Sequence, residues 1–295
     1  MNYAYYPGCS LHSNAREYDE STRAVCAALG VELQEIEDWN CCGTVVLPTT
    51  SYLFSLVAPA RNLALAEERK DSVAVACNSC FVSLRRAQNV YQTNPEWRVK
   101  MQEALGAIGK EFHGRAEIKH ILDIVVNDIG LERIKQRTVH SLGGLRLVPY
   151  YGCQIARPRN DFAHPEQPTE MDRLLKALGA NVLRYDHKTK CCGGSHMTTQ
   201  PDVTLELNEE LLAEAVERGA EAIVVSCPLC QFNLDAYQER INKKFGTAYR
   251  MPIVYFTQLL GIALGLDPKT LGLKRNLVPV KGLLQKYGGE VVANG

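Results

Sequence analysis

No stretch of the 295-residue chain is apolar for long enough to cross a bilayer. The longest run, Ile253 to Leu266 (IVYFTQLLGIALGL), has fourteen residues and carries Thr257 and Gln258. A spanning helix needs ~20 apolar residues. The run predicts a buried or interfacial helix, and the protein is not expected to span a membrane. Excess charge is missing too. Thirty-three Lys and Arg balance thirty-three Asp and Glu, with no long block of one sign, so no nucleic acid partner is expected. The first residues, MNYAYYPGCS, have neither a basic n-region nor an apolar h-region. The secretory pattern is therefore lacking, and the expected location is cytoplasmic. That compartment keeps thiols reduced, so the eleven cysteines are not expected to form structural disulfides. Nor is there a dense CxxCxxC run of the kind that holds an ordinary four-cysteine cubane cluster.

What is present is a cysteine pattern stated twice. Cys9 is followed by Cys41-Cys42 and then Cys77-x-x-Cys80. Cys153 is followed by Cys191-Cys192 and then Cys227-x-x-Cys230. From the second cysteine of the pair to the CxxC there are thirty-four intervening residues in both copies. From the single cysteine to the pair there are thirty-one in the first copy and thirty-seven in the second. The extra residues fall in the loop PRNDFAHPEQPT, rich in proline and polar residues. The flanks repeat as well: YYPGC with YYGC, LGVELQEIEDWNCCG with LGANVLRYDHKTKCCGG, and SVAVACNSC with AIVVSCPLC. Such self-similarity marks an internal duplication. It places one domain at 1–144 and a second, with the C-terminal tail, at 145–295. Cys26 alone lies outside the pattern.

Each half alternates strand and helix. Strands are expected at Tyr3–Tyr6 and Leu145–Tyr151, running into the first cysteine. Helices follow at Glu17–Leu29 and Thr169–Leu178, closed by Gly30 and Gly179. Strands Val31–Ile36 and Asn181–Tyr185 lead to the cysteine pairs. Further helices at Ala58–Arg69 and Leu205–Arg218 precede apolar strands that end in CxxC. A helix at Glu96–Ile108 and the segment Ile118–Ile129 close the first half, and Ile253–Leu264 plays that part in the second. The fold class is α/β, with a parallel or mixed sheet in each of two duplicated cysteine-rich units. A pseudo-two-fold axis is expected to relate the units.

Adjacent cysteines make a poor disulfide, because bridged Cα atoms sit ~5.5–6 Å apart and neighbours only ~3.8 Å. Each CxxC stands where a strand gives way to a helix, whose N-terminus favours thiolate over thiol. In a parallel sheet the cysteine turns would gather at the carboxyl ends of strands, where α/β sheets bind ligands. Zinc takes four ligands, whereas each half offers five cysteines. A redox dithiol would use one CxxC and leave the CCG turn idle. Five thiolates, two adjacent, suit a cluster whose irons are not equivalent.

The pattern C-x31-CCG-x33-CxxC followed by C-x37-CCG-x33-CxxC resembles the tandem cysteine-rich CCG domains of the B-type subunit of heterodisulfide reductase over nearly the whole chain. The resemblance implies two non-cubane [4Fe-4S] clusters and no flavin in this chain. Their ligands would be Cys9, Cys41, Cys42, Cys77 and Cys80, then Cys153, Cys191, Cys192, Cys227 and Cys230. It also implies an iron–sulfur partner of the C type, a flavin partner of the A type, and a disulfide or thiol substrate handled between the clusters in one-electron steps. The same domain occurs in proteins that wire flavin dehydrogenases (lactate, glycolate, glycerol-3-phosphate) or thiol:fumarate reductase to an acceptor. An electron-transfer subunit without its own disulfide is therefore the alternative. Candidate catalytic residues are His12, Gln154 and His196. His12 and His196 could protonate a leaving thiolate, although an ordinary hydrogen-bonded role is the plainer expectation for each. Arg157 and Arg159 could bind an anionic thiol. Arg85 and Arg86 could dock a partner or face water. Cys26 shares a helix face with Thr22, Val25 and Leu29 and is expected as a small core hydrophobe.

Overall fold

The computed structural model describes residues 1–69, 71–156 and 164–280. The first half runs β1 (Asn2–Tyr6), α1 (Arg16–Ala28), β2 (Glu32–Glu35), α2 (Leu47–Thr50), α3 (Tyr52–Arg69), β3 (Val73–Val75), α4 (Asn78–Thr93), α5 (Pro95–Gly106), β4 (Ile118–His120), α6 (Ile121–Asp123) and α7 (Leu131–Arg137), with a wide π-type turn at Ile124–Gly130 between the last two helices. The second half runs β5 (Arg146–Tyr150), α8 (Gly152–Ala156), α9 (Glu170–Ala177), β6 (Asn181–Val182), α10 (Pro201–Glu217), β7 (Ala222–Val225), α11 (Pro228–Ala236), α12 (Gln238–Phe245), β8 (Ile253–Tyr255) and α13 (Phe256–Ala263).

Each half carries a four-stranded sheet, ordered β2-β1-β3-β4 and β6-β5-β7-β8. All pairings are parallel. Tyr3 lies opposite Leu33, Ala4 opposite Val73, and Val73 opposite Ile118. Leu147 pairs with Val182 and with Ala222, and Ile223 with Ile253. In each sheet the strand order reverses between the first and third strands. Ligands of open α/β sheets bind beyond the carboxyl ends of the strands at that switch point. Those strand ends lead directly to Cys9 and Cys77 in one half, and to Cys153 and Cys227 in the other.

Strand alternation divides the packing. On β1, Tyr3 and Tyr5 enter one core while Ala4 and Tyr6 enter another. The first of these cores is common to both halves: Tyr18 and Val25 of α1 share it with Tyr255 and Leu260. Helix α1 packs against α13 of the second half, and reciprocally α9 packs against α7 and the π-type turn of the first. This exchange is the pseudo-two-fold relation between the units. Helix α1 suits the place because its buried residues, Glu17, Tyr18, Ser21, Thr22, Val25 and Cys26, recur at helical spacing. It ends at Gly30 (φ +76°), with the Val31 N–H returning 2.8 Å to the Cys26 carbonyl.

The apolar run Ile253–Leu266 corrects the sequence reading in part. Its first three residues form β8, the fourth strand of the second sheet, and only Phe256 begins a helix. Periodicity alone does not separate a buried strand from a buried helix, and all eight residues of α13 are buried. The segment Ile118–Ile129 divides in the same way, β4 preceding the helical turns.

Candidate functional site

Two sets of thiols gather at the two switch points, and all eleven cysteines are free. In the first half the Cys9 and Cys41 sulfurs lie 3.6 Å apart and those of Cys42 and Cys80 3.4 Å apart, with Cys77 near enough to Cys80 to perturb it. In the second half the Cys192 and Cys230 sulfurs lie 3.5 Å apart. There all five patterned cysteines line one cavity of about 220 Å³. Gln154, Ser195 and His196 also line it, with Thr44, Val45, Asn78 and Ser79 reaching across from the first half.

Glycine permits this convergence at specific points. Gly8 (φ +76°) and Gly152 (φ +71°) precede the first cysteine of each set, and a Cβ at either would stand 3.0 Å from the sulfur of Cys80 or Cys230. The backbone N–H groups of Gly43 and Gly193 point at the Cys41 and Cys191 sulfurs, 3.5 and 3.3 Å away. Cys77 and Cys227 occupy the N-cap positions of α4 and α11.

The thiols perturb one another. Hydrogen bonds from Cys42 and Cys9 hold Cys41 far below an ordinary thiol, while the bond to Cys41 and burial push Cys9 up. Cys230 and Cys77 pull Cys227 down; Cys192, then Cys227 and burial, raise Cys230, and Cys227 with burial raises Cys77. Soft donors gathered this closely fit a bound cationic centre, because metal ligation deprotonates thiols outright. Sulfur-only donor sets suit iron–sulfur clusters. The two sets also approach each other, Cys77 and Cys227 lying near enough to perturb one another's thiols.

The other sequence candidates separate. Gln154 and His196 line the cavity, and His196 is exposed, with its Nδ1 3.5 Å from the Thr199 hydroxyl. His12 does not line it. Its Nε2 lies 3.1 Å from Glu35, and its ring stands edge-on to Trp39. Arg157 and Arg159 lie outside the described residues. Arg86 bonds the Ser55 carbonyl and Arg85 lies over the Phe81 ring. Cys26 is buried in the shared core, where burial pushes its thiol up to about 12.

Sequence reasoning missed the residues that hold the CCG turns. Tyr6 donates to the Asn40 carbonyl (2.9 Å) and Tyr150 to the Lys190 carbonyl (2.7 Å), so a tyrosine shortly before each first cysteine anchors the residue before each pair. Ser83 and Asn233 occupy matched positions three residues beyond each CxxC. Ser83 bonds the Thr44 hydroxyl, and Asn233 donates to the Cys192 and Gly194 carbonyls. The tyrosines were visible in the repeated YY, whereas the Ser83–Asn233 match emerges only when the two copies are laid over each other.

Two parallel α/β units, each gathering cysteines at its switch point, define a tandem cysteine-rich protein. The chain belongs to the cysteine-rich (CCG) domain family, whose model matches residues 3–85 and 147–235. It is 33% identical over 278 residues to the 8-methylmenaquinol:fumarate reductase membrane anchor subunit of Wolinella succinogenes, covering 94% of this chain and 96% of that one. It is 32% identical over 276 residues to a protein of Archaeoglobus profundus described as like the B-type subunit of heterodisulfide reductase, covering 91% and 92%. A hypothetical protein from Helicobacter pylori shares the fold, with a TM-score of 0.73 at 14% identity over 95% of this chain and 52% of that one. Among the described residues no helix is long and apolar enough to cross a membrane.

Proposed function

We propose that the chain is the sulfur-handling iron–sulfur subunit of a heterodisulfide reductase-like complex, reducing or forming a disulfide where its two cysteine sets meet. One observation carries the reading: the five patterned cysteines of the second half line one cavity that Asn78 and Ser79, beside the first half's Cys77 and Cys80, also line. The patterned cysteines of each half would hold one non-cubane [4Fe-4S] cluster. When bound, the two clusters would supply one electron each, matching the two electrons a disulfide requires. Resemblance adds an iron–sulfur partner and a flavin partner to bring those electrons.

The chain's own residues would seat the substrate. The cavity beside the second set has hydroxyl and amide groups from Thr44, Asn78, Ser79, Gln154 and Ser195, and apolar walls from Val45 and Leu229. Among the described residues, none of its lining side chains is a carboxylate or a Lys or Arg. His196, which lines the cavity, would protonate a departing thiolate.

The likeness to a fumarate reductase subunit favours a second reading, an electron relay between a quinol and a dehydrogenase with no disulfide of its own. Anaerobic purification followed by iron analysis and electron paramagnetic resonance separates these readings. About eight iron per chain, with a signal perturbed by added thiol or disulfide, supports the first. Full iron with a signal that no thiol perturbs supports the relay. Zinc in place of iron overturns both.

A further inference from the structure

We propose that Tyr18, assisted by Asn78 and Ser226, is a positioning residue that sets the spacing and electronic coupling of the two cysteine sets. The proposal rests on the reading of two iron–sulfur sites given above. Tyr18 stands on α1, fully buried, with its ring stacked on Tyr255 of the second half at 4.1 Å and 6° between planes. Its hydroxyl lies 3.0 Å from the Ala76 carbonyl and 3.1 Å from the Ser226 carbonyl. These are the residues immediately before Cys77 and Cys227. One hydroxyl therefore spans the axis and ties together the two strand ends that deliver Cys77 and Cys227.

Two further bonds close the same seam. Asn78, next to Cys77, donates to the Tyr151 carbonyl (2.8 Å), two residues before Cys153. Its Oδ1 accepts from the Ser226 hydroxyl at 3.3 Å. His120 holds the Ala76 carbonyl from behind, at 2.8 Å.

The seam is not part of the repeated motif. Where the first copy reads Ala76-Cys77-Asn78, the second reads Ser226-Cys227-Pro228. Ala76 has no hydroxyl to offer and Pro228 no side-chain amide, so each bonding group exists once. A duplicated binding motif needs no such parts to hold two independent centres. Parts that bridge the centres serve their relation. Buried polar groups that satisfy one another across an interface fix one geometry, because any other arrangement leaves them unpaired. Two one-electron centres deliver an electron pair to one substrate only if that geometry holds.

The test uses full-length protein purified anaerobically, with Tyr18→Phe, Ser226→Ala and, as a control, Tyr5→Phe. Tyr5 is equally buried, but its hydroxyl bonds Asp19 within the first half. Three quantities are read: iron content, magnetic splitting between the two reduced sites, and, in metal-free protein, the yield of a Cys77–Cys227 disulfide under diamide. In that last reaction diamide takes the two electrons and two protons released by the thiols, and mass spectrometry reports the linked peptides. Tyr18→Phe and Ser226→Ala should keep their iron but lose splitting and disulfide yield. Tyr5→Phe should lower the melting temperature and leave both readouts unchanged. Unaltered splitting and disulfide yield in both seam variants would overturn the proposal, as would an equal loss in Tyr5→Phe. If Tyr18→Phe fails to fold, Ser226→Ala decides. Absence of two iron–sulfur signals in the unmodified protein would instead overturn the functional reading, and the metal-free disulfide yield would still report the seam.

Discussion

His120 shows how a single buried side chain records its surroundings. It is fully buried, and burial lowers it from 6.5 to about 4. The neutral ring donates from Nε2 to the Ala76 carbonyl and accepts the Leu122 N–H at Nδ1. The unfolded chain therefore binds a proton that the folded chain refuses between these two values. The contribution of His120 is fully present above pH ~6.5 and is lost as pH falls toward 4, amounting to about 3 kcal/mol. Urea unfolding between pH 4 and 7 should show that slope, and His120→Gln should flatten it. His196 belongs to the opposite case, exposed and beside a cavity. His196→Gln should leave iron content unchanged and slow disulfide turnover by about a hundredfold. Unchanged turnover would return it to an ordinary surface residue.

At the scale of the element, the turns matter more than the helices they join. The segments Tyr6–Cys9 and Tyr150–Cys153 must pass close to the last cysteine of each set, and glycine in the left-handed region makes room. Gly152→Ala would place a Cβ against the Cys230 sulfur and add backbone strain of about 1–2 kcal/mol. Iron bound by the second half should fall while the first half keeps its own, and Gly8→Ala should do the reverse. Iron counts on the two variants, with melting curves, check this. The helices are less particular. Cys26→Ala on α1 removes one small buried side chain from the shared core, so iron should be retained and stability reduced by about 1–2 kcal/mol, as a denaturant titration would show.

On the scale of the whole molecule, the two halves share a core yet hold separate ligand sets. Cys42→Ala should abolish one site and spare the other, leaving about half of the iron, and Cys192→Ala should mirror it. Full iron in either variant would mean that the cysteine sets were assigned wrongly. The shared core also predicts how the chain unfolds. Because α1 packs on α13 and α9 on α7, one core is built from both halves, while the core that takes Ala4 and Tyr6 lies within the first half. Thermal unfolding followed by tryptophan fluorescence should coincide with that followed by circular dichroism, since both tryptophans, Trp39 and Trp97, lie in the first half.

The sequence by itself determined the duplication, the ten patterned cysteines, the α/β class and the core place of Cys26. Each of these is written in spacing or periodicity, which survive without a third dimension. It left β8 and β4 unread, because a short apolar run serves a buried strand or a buried helix equally well. It showed the repeated tyrosines without their purpose, because a hydroxyl's partner is a backbone carbonyl that carries no letter in the sequence. Tertiary structure alone decided that both sheets are parallel with the same order, which puts each thiol set at a switch point. It also decided that Tyr18 lies between two strand ends 150 residues apart in the chain (Ala76 and Ser226). Distances across an axis depend on how whole units pack, and no local pattern of residues specifies them.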